Sequence, residues 1–275
     1  MPIASDELNA RPESTLVLVH GDFGNGLDAW AKFAEQVDDR FRVIVLDRPG
    51  FGRNEAKDGR YPIAGDARHA LTDIRAAGVE SFHLVGHSYG GVVAIEIARQ
   101  KPDAIRSLHL IEPPLLQFLP DDPEVLEMDR RVRDLQATYD HEGDDATTAA
   151  FFAMIGAEHV VERLRGTPEW ERLRGYADRF ARNEPPGDFP PDVLFQLPPE
   201  IPIALYSGGR SHPALRAIAA ALAEYPRITS FTDVPTAGHA VQMAGAAIIE
   251  PMFRTIDSAD AAWWRRCSTS HTRRE

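Results

Sequence analysis

The amino-acid sequence predicts an α/β protein with a mostly parallel central sheet flanked by helices, and three observations lead there. Short apolar runs alternate with helical patterns at both ends of the chain. The runs are apolar at consecutive positions, as in strands covered on both faces. A helical stretch between two proline pairs interrupts the alternation and then lets it resume.

Thr15 to Val19 and Arg42 to Leu46 read as strands. Between them Leu27 to Val37 reads as a helix with Trp30, Phe33, Ala34 and Val37 on one face. A helix over Asp66 to Ala77 ends near Gly78, followed by a strand over Phe82 to Val85, a helix over Gly90 to Gln100 and a strand over Ile105 to Ile111. After the interruption come a strand over Ile201 to Tyr206, a helix over Pro213 to Glu224, a strand over Ile228 to Phe231 and a last helix over Ala240 to Ile256.

The interruption opens with Pro113-Pro114 and closes with Pro198-Pro199. Val125, Met128, Val132, Leu135 and Tyr139 follow helical spacing, as do Trp170, Leu173, Tyr176 and Phe180. Residues 113–200 are therefore expected to be a helical cap inserted after the strand ending at Ile111, with 1–112 and 201–259 as the core. Most of those apolar residues are expected to hold the cap on the core. Phe151, Phe152, Met154 and Ile155, with Phe23 from the core, are the candidates for contact with substrate. From about Asp260 the chain turns polar and arginine-rich through Trp263-Trp264-Arg265-Arg266, and residues 260–275 are expected to be a disordered tail.

A chain of 275 residues with 43% hydrophobic residues can bury a large core as one domain with an insertion. No segment reaches the ~18 consecutive apolar residues of a membrane span. Met1 to Glu13 lacks a basic region and an apolar run, so no secretory signal is expected and the cytoplasm is the expected compartment. The single cysteine, Cys267, excludes an intramolecular disulfide framework and a cysteine-rich metal site. A formal net charge of -12 opposes binding to a phosphate backbone, so nucleic acid is not an expected partner.

The chemistry is concentrated in Leu84-Val85-Gly86-His87-Ser88-Tyr89-Gly90-Gly91, where an apolar strand enters a Gly-x-Ser-x-Gly turn and then a helix. Serine is a weak nucleophile unless it is held clear of the backbone beside a base, which a sharp turn with small flanking residues accomplishes. A serine there could also simply cap the helix; the strand before it and the matching pieces elsewhere favour a nucleophile. The base expected after the last strand is His239, in Gly238-His239, just ahead of the final helix. The loop His20-Gly21-Asp22-Phe23-Gly24 is expected to supply one N–H of an oxyanion hole, from Asp22 first and Phe23 second, with Tyr89 N–H as partner. His20 is expected to brace that loop, and His87 to be structural.

Taken together, His20-Gly21, Asp47-Arg48-Pro49-Gly50-Phe51-Gly52, Gly86-His87-Ser88-Tyr89-Gly90-Gly91 and Gly238-His239 resemble the α/β-hydrolase superfamily, over Thr15 to Pro114 and Ile201 to Ile256. The resemblance implies a structural Asp47 at the active-site rim. Serine at 88 separates the chain from the dehalogenases and epoxide hydrolases, which use aspartate there. Only 14 residues precede Thr15, too few for the usual leading hairpin, so about six strands are expected rather than eight. The family's acid usually follows the strand that here is Ile201 to Tyr206, yet Ser207-Gly208-Gly209-Arg210-Ser211-His212-Pro213 contains no carboxylate. Ser211 reads there as a helix N-cap. Certain lactonases and dehalogenases place the acid after the preceding strand, which points to Glu112 in Ile111-Glu112-Pro113-Pro114. Asp233, an acid from the cap, no acid at all, or a purely structural Glu-Pro-Pro corner are the alternatives.

The expected function is hydrolysis of a small to medium, mainly hydrophobic carboxylic ester or lactone through an acyl-enzyme, with no cofactor and no metal. Carbon-carbon bond hydrolysis, thioester cleavage, a cofactor-free lyase and a non-catalytic small-molecule receptor use the same residues and stay open. The oligomeric state is not legible.

Overall fold

Runs that are apolar at every position become strands buried on both sides. The computed structural model describes residues 5–7, 14–37, 41–54 and 59–271. β2 (Ser14–Val19) and β4 (Phe82–His87) are buried along their whole lengths. Together with β3 (Phe41–Leu46), β5 (Ile105–Ile111), β6 (Ile203–Gly208) and β7 (Ile228–Val234) they form a parallel sheet in the order β3-β2-β4-β5-β6-β7. The six parallel strands are those expected. Beyond them, the three residues of β1 (Ser5–Glu7) pair antiparallel with β3 at the edge, a contact too short to leave a hydrophobic pattern. β7 alternates between half-buried and exposed residues because it is the opposite edge.

Helices cover both faces. On one side α2 (Ile63–Ala76), α3 (Tyr89–Gln100) and α9 (Pro213–Ala223) bury Ile74, Val92, Ile97, Leu215 and Leu222 against the sheet. On the other, α1 (Gly26–Ala34) packs Trp30 and Phe33 beside Ile248, Met252 and Ile256 of α10 (Ala246–His271). The final helix begins later than expected, after a 3₁₀ turn at Val241–Met243 and Gly245 at φ 61°.

It also ends much later, which corrects the expectation of a disordered tail from residue 260. Ile256 and Ala259 are buried, and Asp260 accepts from His83 Nε2 and Arg106 Nη1, both at 3.1 Å. Trp263 lies against the Arg106 guanidinium, 5.5 Å from ring centroid to Cζ. Positions 256, 259, 260 and 263 make one helical face, but its members are apolar, acidic and aromatic, so the residues read as merely polar. Cys267 lies in the last turns, where side chains are outside the described residues.

Between β5 and β6 the regular elements are helices: α4 (Pro123–Met154), α5 (Glu158–Leu164), α6 (Pro168–Arg174), α7 (Ala177–Ala181) and α8 (Asp192–Phe195), with two short 3₁₀ turns. Gly143, at φ 74°, breaks α4 into two segments. The second periodic stripe, Trp170 to Phe180, is divided between α6 and α7 at Gly175. The insertion is stitched to the core by backbone: Tyr61 N–H donates to Arg182 O and Glu184 N–H to Tyr61 O, both at 3.0 Å.

Candidate active site

β2 leads to β3 on one side of the sheet, while β4 starts on the other, so the loops after β2 and β4 diverge and leave a crevice at the ends of the strands, where open α/β sheets bind ligands. Ser88 sits in the β4 loop at φ 54°, ψ -128°, immediately before α3. A non-glycine residue held there carries backbone strain that the surroundings must enforce. The motif glycines permit it: a Cβ on Gly86 would lie 2.4 Å from Gly90 O, and one on Gly90 2.4 Å from Val19 O. Ser88 N–H donates to Ile111 O at 2.8 Å, locking the turn to β5. The β2 loop comes equally close, since a Cβ on Gly21 would be 2.9 Å from that of Ser88. Tyr89 opens α3, where the first N–H groups of a helix have no intrahelical acceptor.

Glu112 follows β5 at φ 45° and is fully buried. Its Oε2 lies 2.6 Å from His239 Nδ1 and accepts from Ser211 Oγ at 2.6 Å. Its Oε1 accepts from Gly208 N–H at 2.8 Å and from Ser207 Oγ at 3.3 Å. The end of β6 and the loop after it, which lack a carboxylate, thus donate three hydrogen bonds to Glu112, which follows the neighbouring strand. This corrects the reading of Ser211 as an N-cap: His212 caps α9 through Nδ1, which accepts from Ala214 N–H at 3.2 Å, and Ser211 faces Glu112. Asp233 is exposed on the edge strand, and among the described residues His239 Nδ1 is paired with Glu112. A carboxylate on Nδ1 leaves Nε2 of His239 as the proton-accepting nitrogen.

His87 and His20, which also line the site, are held neutral chiefly by burial. His87 Nε2 donates to the carbonyl of His239 at 3.0 Å, and burial, then the adjacent His239, depress its pKa to about 3. His20 Nδ1 donates to Gly21 O at 2.7 Å while its Nε2 accepts from Arg48 N–H at 3.0 Å; burial first, then Arg48, push its pKa well below the usual imidazole value. Asp47 accepts from the backbone of Gly26 and Arg53 at 2.8 and 3.0 Å, tying the rim loop down.

Arg48 joins the β2 loop to the inserted helices. From a buried position it donates through Nη1 to Asp22 Oδ1 at 2.9 Å and to Gly21 O at 3.1 Å, and through Nε to Asp66 Oδ2 at 2.9 Å. Asp66 also binds Arg179 of α7, at 2.8 and 3.0 Å. Asn183 Nδ2, from the insertion, donates to Asp22 Oδ1 at 2.9 Å. Two arginines face two aspartates in this buried network, so charge is balanced where an unpaired one would be costly. Burial lowers the Arg48 pKa, but Asp22 and Asp66 outweigh it and the net shift is upward. Sequence reading missed this role because Arg48 and Asn183 are far apart along the chain.

Two cavities meet at Ser88 and His239. The outer, about 370 Å³, is lined by Phe23, Phe151, Phe152 and Ile155 and reaches Arg163 and Arg172 at its rim. The inner, about 40 Å³, is lined by Leu116, Met128, Phe151, Met154 and Ile155 with Asp22 and Tyr89. All five residues singled out for substrate contact therefore border one cavity or both. Phe23 and Phe151 pack with ring centroids 4.4 Å apart. Among the described residues no group of three or more His, Cys, Asp or Glu could hold a metal ion, and no helix is long and apolar enough to cross a membrane.

Comparisons with known proteins agree on the fold. The sequence model of the α/β-hydrolase fold matches residues 14–186. A provisionally assigned carbamate hydrolase from Azorhizobium caulinodans is 34% identical over 97 residues, 35% of this chain and 37% of that protein. The dihydrolipoyllysine-residue acetyltransferase component of an acetoin cleaving system from Cupriavidus necator is 33% identical over 99 residues, 36% of this chain and 26% of that protein. The chain thus matches well under half the length of these curated relatives. Similar solved structures include a hydrolase from Oleispira antarctica, with TM-score 0.73 and 18% identity, covering 92% of this chain and 94% of that one. Another is the 2-hydroxy-6-oxo-6-phenylhexa-2,4-dienoate hydrolase of Rhodococcus sp. strain RHA1, with TM-score 0.67, 17% identity and the same coverage of both chains. With more than half of its residues matched by the family model and the strand-elbow-helix unit in place, the chain belongs to the α/β-hydrolase family.

Proposed function

We propose that the protein is a serine hydrolase that cleaves small to medium, mainly hydrophobic carboxylic esters or lactones through an acyl-enzyme. Ser88 Oγ attacks the carbonyl carbon as its proton passes to His239 Nε2. Glu112 holds His239 in the required tautomer and stabilises the imidazolium. The Asp22 and Tyr89 N–H groups receive the oxyanion. The proton returns to the leaving oxygen, and water, activated by His239, releases the acid and restores the hydroxyl. Residues 113–200 act as the cap, with substrate entering between cap and core.

The observation that carries this reading is the Glu112–His239 pair at 2.6 Å beside a serine held in a strained turn on the same cavities. An inner cavity of about 40 Å³ suits a short acyl group, given roughly 10–15 Å³ for one water on that measure. The 34% identity to a provisional carbamate hydrolase over the matched stretch makes carbamates a second substrate class, reached by the same acyl transfer. A panel of p-nitrophenyl esters, lactones, thioesters and carbamates tests the proposal. Short-chain esters or lactones are expected to be cleaved best, with Ser88→Ala lowering kcat by about 10⁴-fold or more. A normal rate in Ser88→Ala excludes acylation.

A further inference from the structure

We propose that the Asp22 side chain is a substrate-recognition group, selecting acyl compounds that carry a hydroxyl or N–H next to the scissile carbonyl, as α-hydroxy esters and carbamates do. The inference rests on the reading of Ser88 as the nucleophile and adds to it a requirement on the substrate.

Both hydrogen bonds made by the Asp22 carboxylate end on Oδ1, from Arg48 and from Asn183. Oδ2 has no partner among the described residues, and it is not one of the side-chain oxygens sealed away without one. Asp22 borders the outer and the inner cavity, both of which contain Ser88, so the remaining oxygen opens on the space where a substrate must lie. The side chain cannot swing away, because the buried Arg48 holds its carboxylate and the backbone of Gly21 together. A structural role alone is met by Oδ1.

An ionised carboxylate only accepts, so its complement on the substrate is a donor. The inner cavity is largely apolar apart from Asp22, Ser88, Tyr89, Gln136, Asn183 and His239, so a substrate lacking the donor leaves the Asp22 oxygen desolvated and unpaired. The Arg48 guanidinium on Oδ1 offsets the negative charge that would otherwise oppose an oxyanion at the neighbouring N–H.

The test compares ethyl lactate with ethyl isobutyrate, in which a methyl replaces the hydroxyl, in the full chain and in Asp22→Asn. Asparagine can keep the Oδ1 contacts while presenting N–H₂ to the cavity. The lactate-to-isobutyrate ratio of kcat/KM, taken relative to the full chain so that intrinsic reactivity cancels, is expected to fall about tenfold. The methyl ether of ethyl lactate, which only accepts, is expected to gain relative to both. An unchanged ratio overturns the proposal. A second measurement needs neither the Asp22 variant nor turnover: Ser88→Ala titrated calorimetrically with ethyl lactate and ethyl isobutyrate. Ethyl lactate is expected to bind about tenfold tighter; equal affinity, or no binding of either, overturns the proposal. Wild-type protein that binds ethyl lactate more tightly than ethyl isobutyrate yet cleaves neither would remove the ester-hydrolase reading and leave this recognition standing.

Discussion

Two carboxylates follow the strands on either side of β4, and they are treated differently. Glu112, after β5, uses both oxygens inside the protein, taking hydrogen bonds from Ser207, Gly208 and Ser211 besides His239. Asp22, after β2, uses one oxygen on Arg48 and Asn183 and borders the cavities. A saturated carboxylate has no spare lone pair for a ligand and serves to orient its neighbour. A half-satisfied one beside a cavity is available to whatever enters. The surroundings differ to match: small donors fix Glu112 within the sheet ends, whereas Asp22 is fixed partly by the inserted helices through Asn183.

The largest effect expected from breaking this contrast is at Glu112. Glu112→Gln keeps the shape but can turn an N–H₂ toward His239 Nδ1, favouring the wrong tautomer. A fall in kcat of about 10³–10⁴-fold, with KM little changed, is expected from steady-state kinetics. A near-normal kcat would move the acid elsewhere.

Ser211→Ala sharpens the comparison without removing the acid. One donor is lost from Glu112 Oε2, leaving His239 Nδ1 as its remaining partner. A loss of about tenfold in kcat is expected, together with about 1–3 kcal/mol of stability measured by urea unfolding. An unchanged kcat would show that His239 needs no help from the β6 loop to be oriented.

The smallest effect is on acid stability and concerns the histidines of the sheet. Burial depresses His87 and His109 to about 3, with His239 adding to the shift at His87 and His83 at His109. The unfolded chain binds protons at these positions near pH 6.5, and the folded one only near pH 3. Stability is therefore complete above about pH 6.5 and declines as the pH falls through that window. The urea midpoint is expected to be lower at pH about 5 than at pH about 7. A midpoint independent of pH over this range would contradict neutral burial of these rings.

How much of this was legible in the sequence follows from how local each signal is. The elbow, the six parallel strands and Gly238-His239 are written in contiguous residues whose order repeats the order of the elements. Glu112 was legible as a candidate only through the resemblance to relatives that place the acid after the preceding strand, because its hydrogen-bond partners lie more than ninety positions away. Asp22 was expected to act through its N–H alone; the side chain's pairing with Arg48 and Asn183 depends on how loops from the core and the insertion meet. The helix past residue 260 was missed because its inward face is held by Asp260 and Trp263, residues that read as surface.

Reaction with a fluorophosphonate, followed by peptide mapping in a mass spectrometer, tests the central claim most directly. A single phosphonyl adduct on Ser88 is expected, formed rapidly in the wild-type protein, much more slowly in Glu112→Gln and not at all in Ser88→Ala. Rapid labelling at another residue, or none at Ser88 in protein that cleaves esters, would contradict it.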